Sequence, residues 1–286
     1  MEQATQSPAE ADAAHHMAIK AAEEAGPPQD WTAALDHLQR SAHLGSRLAQ
    51  AELAGLSGQW PLAHDILAGA AVQDSPWSRF RSSIDLAKWL QPPPVSNISE
   101  GPRIAVVKDL ATTEACDWLI ARARPRLKPA QIYDEKEGRH RSGDGRTNTV
   151  CPFPQPDRDL ILAIVRARVA SVTGMQVRAM ESPHILHYSE GEEFAPHFDT
   201  TENPNSPGFR PRVLTFLISL NDDYEGGETE FPVIGGRWKG RKGGALFFWN
   251  VEPDGTLDRR TLHAGRPVTR GEKWMLSQWI GPPVEG

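Results

Sequence analysis

The sequence predicts an α+β chain in which an all-helical N-terminal region precedes a β-rich domain. Three observations carry that prediction. Ala and Leu recur at three- to four-residue steps over the first 90 residues, the period of helices with one buried face. Gln91-Pro92-Pro93-Pro94 then removes successive backbone donors and stops any helix. From Gln176 onward, short β-branched and aromatic runs alternate with Gly, Pro and Asn turns, the rhythm of a β-sandwich or barrel.

The elements follow in order. Helices are expected over 10–25, 30–44, 46–57, 60–72 and 76–90, with Leu35, Leu38 and Ala42, then Leu48, Ala51 and Leu56, marking buried faces. Gly26-Pro27-Pro28 and Gly45-Ser46 interrupt the pattern, and Asp30 is placed to cap the helix that starts near Trp31. Beyond the prolines a strand is expected over 103–107, a helix over 113–124, and a longer helix over 157–173 that ends at Gly174. On that longer helix Arg158, Arg166 and Arg168 read as a solvated face, with an interface as the alternative. Strands are then expected over 184–188, 212–220, 244–249 and 274–280. The chain therefore divides into a helical domain 1–91, a Pro-rich linker 92–102 and a domain 103–286.

Composition narrows the function classes. A chain of 286 residues with 39% hydrophobic residues and nine tryptophans can bury a sizeable core. Its net charge of -6 and the lack of a dense Lys/Arg run argue against a nucleic-acid surface. The two cysteines, Cys116 and Cys151, have no metal-type spacing and do not make a disulfide framework, which points to a reducing compartment. The N-terminus has no basic region leading into an apolar core. No stretch approaches the roughly 20 apolar residues of a membrane span, so a soluble cytoplasmic protein is expected.

The chemistry is concentrated late in the chain. His197 and Asp199 stand two apart, a spacing that puts both side chains on one side of a strand. With a second imidazole from His263 they offer a two-His-one-carboxylate face, a donor set that suits non-haem Fe(II) oxygenases because it leaves positions open. Lys273 adds a cation ten residues after His263. Taken alone, His-x-Asp reads as a surface pair and Lys273 as a solvated lysine.

Order and spacing of the surrounding motifs change that. Tyr188-Ser-Glu-Gly-Glu-Glu-Phe194-Ala-Pro196-His197-Phe-Asp199 is followed by Arg212-Val-Leu-Thr215 and by Gly226-Gly227-Glu-Thr-Glu-Phe231-Pro232. Lys242-Gly243-Gly244 through Trp249, His263-Ala264-Gly265-Arg-Pro267 and Gly271-Glu-Lys273-Trp274 complete the series. The series resembles the prolyl 4-hydroxylase branch of the Fe(II)/2-oxoglutarate dioxygenases, closely over about the last hundred residues and loosely back to residue 103. The region from Ala34 to Leu56 is also similar to a Sel1-like repeat, a relative of the tetratricopeptide unit; a helical cap on the main domain is the alternative.

The prolyl hydroxylase resemblance implies a double-stranded β-helix (a jelly-roll, cupin-like core) with flanking helices. It implies His197, Asp199 and His263 as iron ligands, and Lys273 as the anchor of the distal carboxylate of 2-oxoglutarate. It places Tyr188 on that same carboxylate and Thr215 on the wall of the cosubstrate pocket, with core packing as the alternative for Tyr188. Fe(II), 2-oxoglutarate, O2 and ascorbate are the implied cofactors, with succinate and carbon dioxide as co-products. Because Asp199 is present where halogenases of the superfamily carry a small residue, hydroxylation of an aliphatic C–H is expected. His184 and His187 are expected beside the site and outside the ligand set.

On the substrate side the resemblance points to Arg212, Phe194 and Arg146, but with departures. Phe194 stands where the family often has tyrosine, Arg146-Thr147-Asn148 replaces Arg-Thr-Ser, and Gly281 takes the place of a histidine found in enzymes acting on peptidyl proline. The substrate is therefore expected to be a prolyl residue in a protein or peptide, or else a free imino or amino acid. The loops 135–148 and 200–212 are expected to select it. The N-terminal helices are a candidate surface for a protein partner. A non-catalytic adaptor that senses 2-oxoglutarate or metal is the rival reading, and a cupin-like zinc hydrolase or isomerase is a third.

Overall fold

The computed structural model describes residues 8–23, 29–134, 139–141, 145–200 and 211–284. The chain forms two compact units, one from Met1–Gln91 with Gln155–Arg168 and the other from Pro92–Pro154 with Val169–Gly286.

In the first unit the helices are Pro8–Glu23, Trp31–His43, Arg47–Leu56, Trp60–Leu67, Trp77–Ser83 and Leu86–Leu90. Asp30 caps the second by accepting the Ala33 N–H at 2.8 Å, and Ser46 caps the third through the Ala49 N–H at 3.3 Å. Buried Ala18, Ala22, Ala34, Ala42 and Ala49 let helix backbones approach closely around Leu35, Leu38 and Leu53. The single helix expected over 76–90 is instead two. Ile84 is extended, and Asp85 starts a new helix by accepting the Lys88 N–H.

The segment 155–168 belongs to this helical unit, not to the 103–286 domain in which the sequence reading placed it. Its helix, Leu160–Thr173, carries a continuous buried run from Leu160 to Val165. Glu52 accepts the Leu160 N–H at 2.6 Å, and Glu23 pairs with Arg166 at 2.9 Å and with Arg158. Arg166 is thus a buried charge with a carboxylate partner rather than part of a solvated face. Seven consecutive buried residues, Leu160 to Arg166, leave no polar face on this half of the helix, so periodicity misreads it.

The second unit is built on two larger antiparallel sheets, beside two two-stranded ones. The larger has eight strands in the order Val95–Glu100, Arg103–Val107, Ala245–Trp249, Leu214–Ser219, Lys273–Ile280, His184–Tyr188, Thr149–Pro152 and Lys128–Pro129. The smaller has four, in the order Gly236–Trp238, Thr229–Phe231, His263–Gly265 and Phe194–His197. Leu186, Leu217, Leu246 and Met275 of the large sheet share one core cluster with Phe231 of the small one. Leu214–Ser219 is buried along its whole length, as a central strand should be. The expected linker 92–102 contains a strand, Val95–Glu100, hydrogen-bonded to Arg103–Val107. It is an edge strand exposed nearly throughout, so it lacks the alternating apolar pattern that marks a half-buried strand. Cys116 and Cys151 are buried and unpaired with each other. Among the described residues no helix is long and apolar enough to cross a membrane.

Candidate active site

His197 ends the strand Phe194–His197 and lies directly opposite His263, the first residue of its antiparallel neighbour. The two imidazole centroids are 4.3 Å apart. His197 Nδ1 contacts Ala195 O at 2.8 Å, and His263 Nδ1 contacts Thr261 O at 3.0 Å. A carbonyl can only accept, so each Nδ1 carries a hydrogen, and in the neutral ring Nε2 is the nitrogen with the lone pair. Those Nε2 atoms lie 3.6 Å from Asp199 Oδ1 and 3.4 Å from Asp199 Oδ2, respectively. One donor atom from each of the three residues falls within 4.8 Å of the others.

Asp199 reaches this position differently from the strand alternation read in the sequence. The strand ends at His197, and Asp199 sits in the bend that follows. Burial alone would raise its pKa, but His263 and His197 outweigh that and hold the carboxyl well below the usual carboxylate range. Burial, reinforced by His263, pushes the His197 imidazole down, which favours its neutral form. Two imidazoles with outward Nε2 lone pairs and one ionised carboxylate are a donor set that fits a divalent iron ion.

Lys273 opens the strand Lys273–Ile280 and is almost fully buried. Its face of the strand, with Met275, Ser277 and Trp279, lines the same cavity as the three donor residues. Nζ donates to Gly227 O at 2.6 Å and lies 5.0 Å from the Tyr188 ring centroid. Burial pushes the ammonium down to about 8, with Glu228 opposing the shift and Lys239 adding to it. Among the described residues no carboxylate forms a salt bridge with it. Gly226 and Gly227 both have positive φ, +69° and +67°, and a Cβ on Gly227 would stand 3.2 Å from Lys273 Cδ. The Gly-Gly pair is therefore required both by backbone conformation and by the close approach of the lysine. Tyr188 lines the cavity, and burial raises its phenol to about 12, so it stays protonated and able to donate.

The other residues singled out in the sequence divide. Phe194 stacks on His197 with centroids 3.5 Å apart, and the Arg146 guanidinium covers the Phe194 ring at 4.4 Å; both residues line the cavity. Thr215 is not among the residues that line the cavity; its hydroxyl donates to Asp199 Oδ2 at 2.7 Å, and Leu217, two residues on, lines the cavity. Arg212 is also not a free substrate-side cation. It makes a bidentate pair with Glu181 at 2.7 and 2.9 Å and lies 4.0 Å over the Trp279 ring. His184 stands edge-on to Trp279 at 5.0 Å, and burial pushes it down to about 4. His187 is engaged with the Thr149 hydroxyl at 2.9 Å, and neither histidine joins the donor set. Glu181, Thr229, Asn250 and Trp279 were given no role from sequence. Thr229 lies inside the Gly-Gly-x-Thr motif and Trp279 shares the strand face of Lys273 by its spacing, whereas Glu181 and Asn250 have no local signal. In the two expected selectivity loops, 135–138, 142–144 and 201–210 lie outside the described residues.

Residues 183–281 match the family model of the 2OG-Fe(II) oxygenase superfamily. The chain is 33% identical over 207 residues to probable prolyl 4-hydroxylase 10 of Arabidopsis thaliana, covering 65% of this chain and 71% of that protein. The chain belongs to the prolyl 4-hydroxylase family. Prolyl 4-hydroxylase 5 of the same plant is 32% identical over 206 residues, covering 65% of this chain and 70% of that protein. A viral collagen prolyl hydroxylase from Paramecium bursaria Chlorella virus-1, solved in complex with 2OG, shares the fold. Its TM-score is 0.51 at 24% identity, and the match covers 64% of this chain and 98% of that one. The two antiparallel sheets are consistent with the jelly-roll of this superfamily. This prolyl 4-hydroxylase-family chain is a 2-oxoglutarate-dependent dioxygenase, and its family implies Fe(II) and 2-oxoglutarate.

Proposed function

We propose that this enzyme hydroxylates an aliphatic C–H of a prolyl residue in a protein or peptide, with a free imino or amino acid as the alternative substrate. The observation that carries the proposal is the convergence of His197, Asp199, His263 and Lys273 on one cavity. A bound Fe(II) would activate O2, the four-electron oxidant, with two electrons coming from 2-oxoglutarate as it becomes succinate and carbon dioxide and two from the C–H bond that is hydroxylated.

The chain's own residues bind, orient and exclude water. His197, Asp199 and His263 would hold the iron, their Nε2 lone pairs preset by the carbonyls of Ala195 and Thr261. Lys273 would exchange its contact with Gly227 O for an ion pair with the distal carboxylate of 2-oxoglutarate, and Tyr188 would donate to the same group. Phe194 and Arg146 would face the substrate. Arg212, held by Glu181, braces Trp279 on that side. Ascorbate would serve as the reductant that keeps iron ferrous, and a cytoplasmic location belongs to the same reading. The N-terminal helices, similar in sequence to a Sel1-like repeat, would offer a partner surface. A sensing adaptor would be expected to have lost at least one of these four residues.

The test is succinate formation from 2-oxoglutarate with Fe(II) and ascorbate, with and without prolyl peptides and free imino acids. Substrate-stimulated succinate that is lost in His197→Ala and Lys273→Ala supports the reading and names the substrate class. Tight binding of 2-oxoglutarate without turnover on any of the panel leaves a substrate outside the panel or the sensing adaptor.

A further inference from the structure

Asn250 dictates where Thr215 sends its only proton. The Asn250 side chain is buried, with Nδ2 3.1 Å from Arg212 O and 2.9 Å from Thr215 Oγ1. A carbonyl only accepts, so the nitrogen end of the amide must face Arg212 O. The same nitrogen therefore donates to Thr215, whose oxygen is thereby made an acceptor. The Thr215 proton is left for Asp199 Oδ2, 2.7 Å away. Thr215 has no exposed surface, so a hydroxyl here would be costly without these two partners.

A carboxylate can engage a metal through one oxygen or both, and a second oxygen would take a position that this donor set otherwise leaves open. We infer that Thr215, polarised by Asn250, is a positioning residue that keeps Asp199 a one-oxygen ligand. Both oxygens face an imidazole, Oδ2 3.4 Å from His263 Nε2 and Oδ1 3.6 Å from His197 Nε2; the Thr215 hydrogen bond occupies Oδ2 and so leaves Oδ1 as the oxygen offered to the metal. The charge-assisted bond also orients the carboxylate. This inference rests on the proposed metal role of His197, Asp199 and His263.

The test is calorimetric titration of the full chain with Mn(II), a redox-inert probe, in the wild type and in Thr215→Val, Thr215→Ser and Asn250→Ala. Thermal unfolding of each metal-free protein checks folding. Thr215→Val should bind Mn(II) roughly 10- to 100-fold more weakly, while Thr215→Ser stays near the wild type. Asn250→Ala should fall between them, because the freed hydroxyl can rotate. Wild-type affinity in Thr215→Val overturns the inference, and so does a loss that serine fails to restore. If Thr215→Val does not fold, an Asn250→Ala protein with wild-type affinity overturns it equally. A wild-type chain that binds no Mn(II), or a His197→Ala chain that binds it as well as the wild type, removes the metal site itself and not this refinement of it.

Discussion

Lys273 Nζ donates to the carbonyl of Gly227 at 2.6 Å, a neutral acceptor for a cation that is 2% exposed. Burying an ammonium without a carboxylate partner is unfavourable, which is why its pKa falls to about 8 from an ordinary 10.5. The lysine is held ready for an anion at the cost of stability.

That cost sets a stability prediction. Between pH 8 and 10.5 the unfolded chain binds more protons at this lysine than the folded chain does, so stability should rise with pH across that window. Below about 8 the penalty is present in full, on the order of 3 kcal/mol. Lys273→Met should therefore greatly weaken 2-oxoglutarate binding while raising the denaturation midpoint of the cofactor-free protein at pH 7. Denaturant titrations of both proteins check this; a Met variant less stable than the wild type contradicts it.

The same titration governs cosubstrate affinity, with opposite consequences for pH. A protonated Lys273 pairs with a carboxylate and a neutral one does not, so the Kd for 2-oxoglutarate should be flat below about pH 8. Above it the Kd should climb by about tenfold per pH unit. Binding measured from pH 7 to 9.5 would show the break, and a flat profile would count against the lysine as the anchor.

Gly227→Ala should damage the site without touching a polar group. Its φ of +67° strains any other residue, and the added Cβ would meet the Tyr224 ring at 3.0 Å and Lys273 Cδ at 3.2 Å. A loss of about 1–3 kcal/mol is expected, together with weaker 2-oxoglutarate binding as the lysine is displaced. Thermal unfolding and a 2-oxoglutarate titration of the variant measure the two effects.

Glu181→Ala should act on the substrate side. It removes the bidentate partner of Arg212 and loosens the guanidinium over Trp279. We expect the KM for the organic substrate to rise severalfold while the KM for 2-oxoglutarate holds, since Lys273 and Tyr188 are untouched. Steady-state kinetics with each substrate varied in turn would separate the two.

The donor residues and the lysine were legible in the sequence because each lies in a short motif whose spacing survives folding. Thr215 was legible as a position and not as a role. Its partner, Asp199, is fixed by the approach of a bend to a central strand, which no local pattern encodes. Glu181 and Asn250 had no motif at all; their work is to hold Arg212 and Thr215, and that depends on which way each strand faces. Core strands such as Leu214–Ser219 announced themselves by apolar runs, whereas the exposed edge strand Val95–Glu100 did not. The buried Glu23–Arg166 pair was hidden for a related reason, since arginines on an apolar helix read as its solvated face.

The most direct test of one shared iron and 2-oxoglutarate site is an anaerobic titration of the chain with Fe(II) and 2-oxoglutarate, followed by visible absorption. A chelate of ferrous iron with a 2-oxo acid gives a charge-transfer band that neither component gives alone. The wild type should develop that band, His197→Ala should not, and Lys273→Ala should need far more 2-oxoglutarate to reach it. A band that forms in His197→Ala as in the wild type, or none in the wild type at saturating 2-oxoglutarate, would contradict the assignment of these four residues to one site.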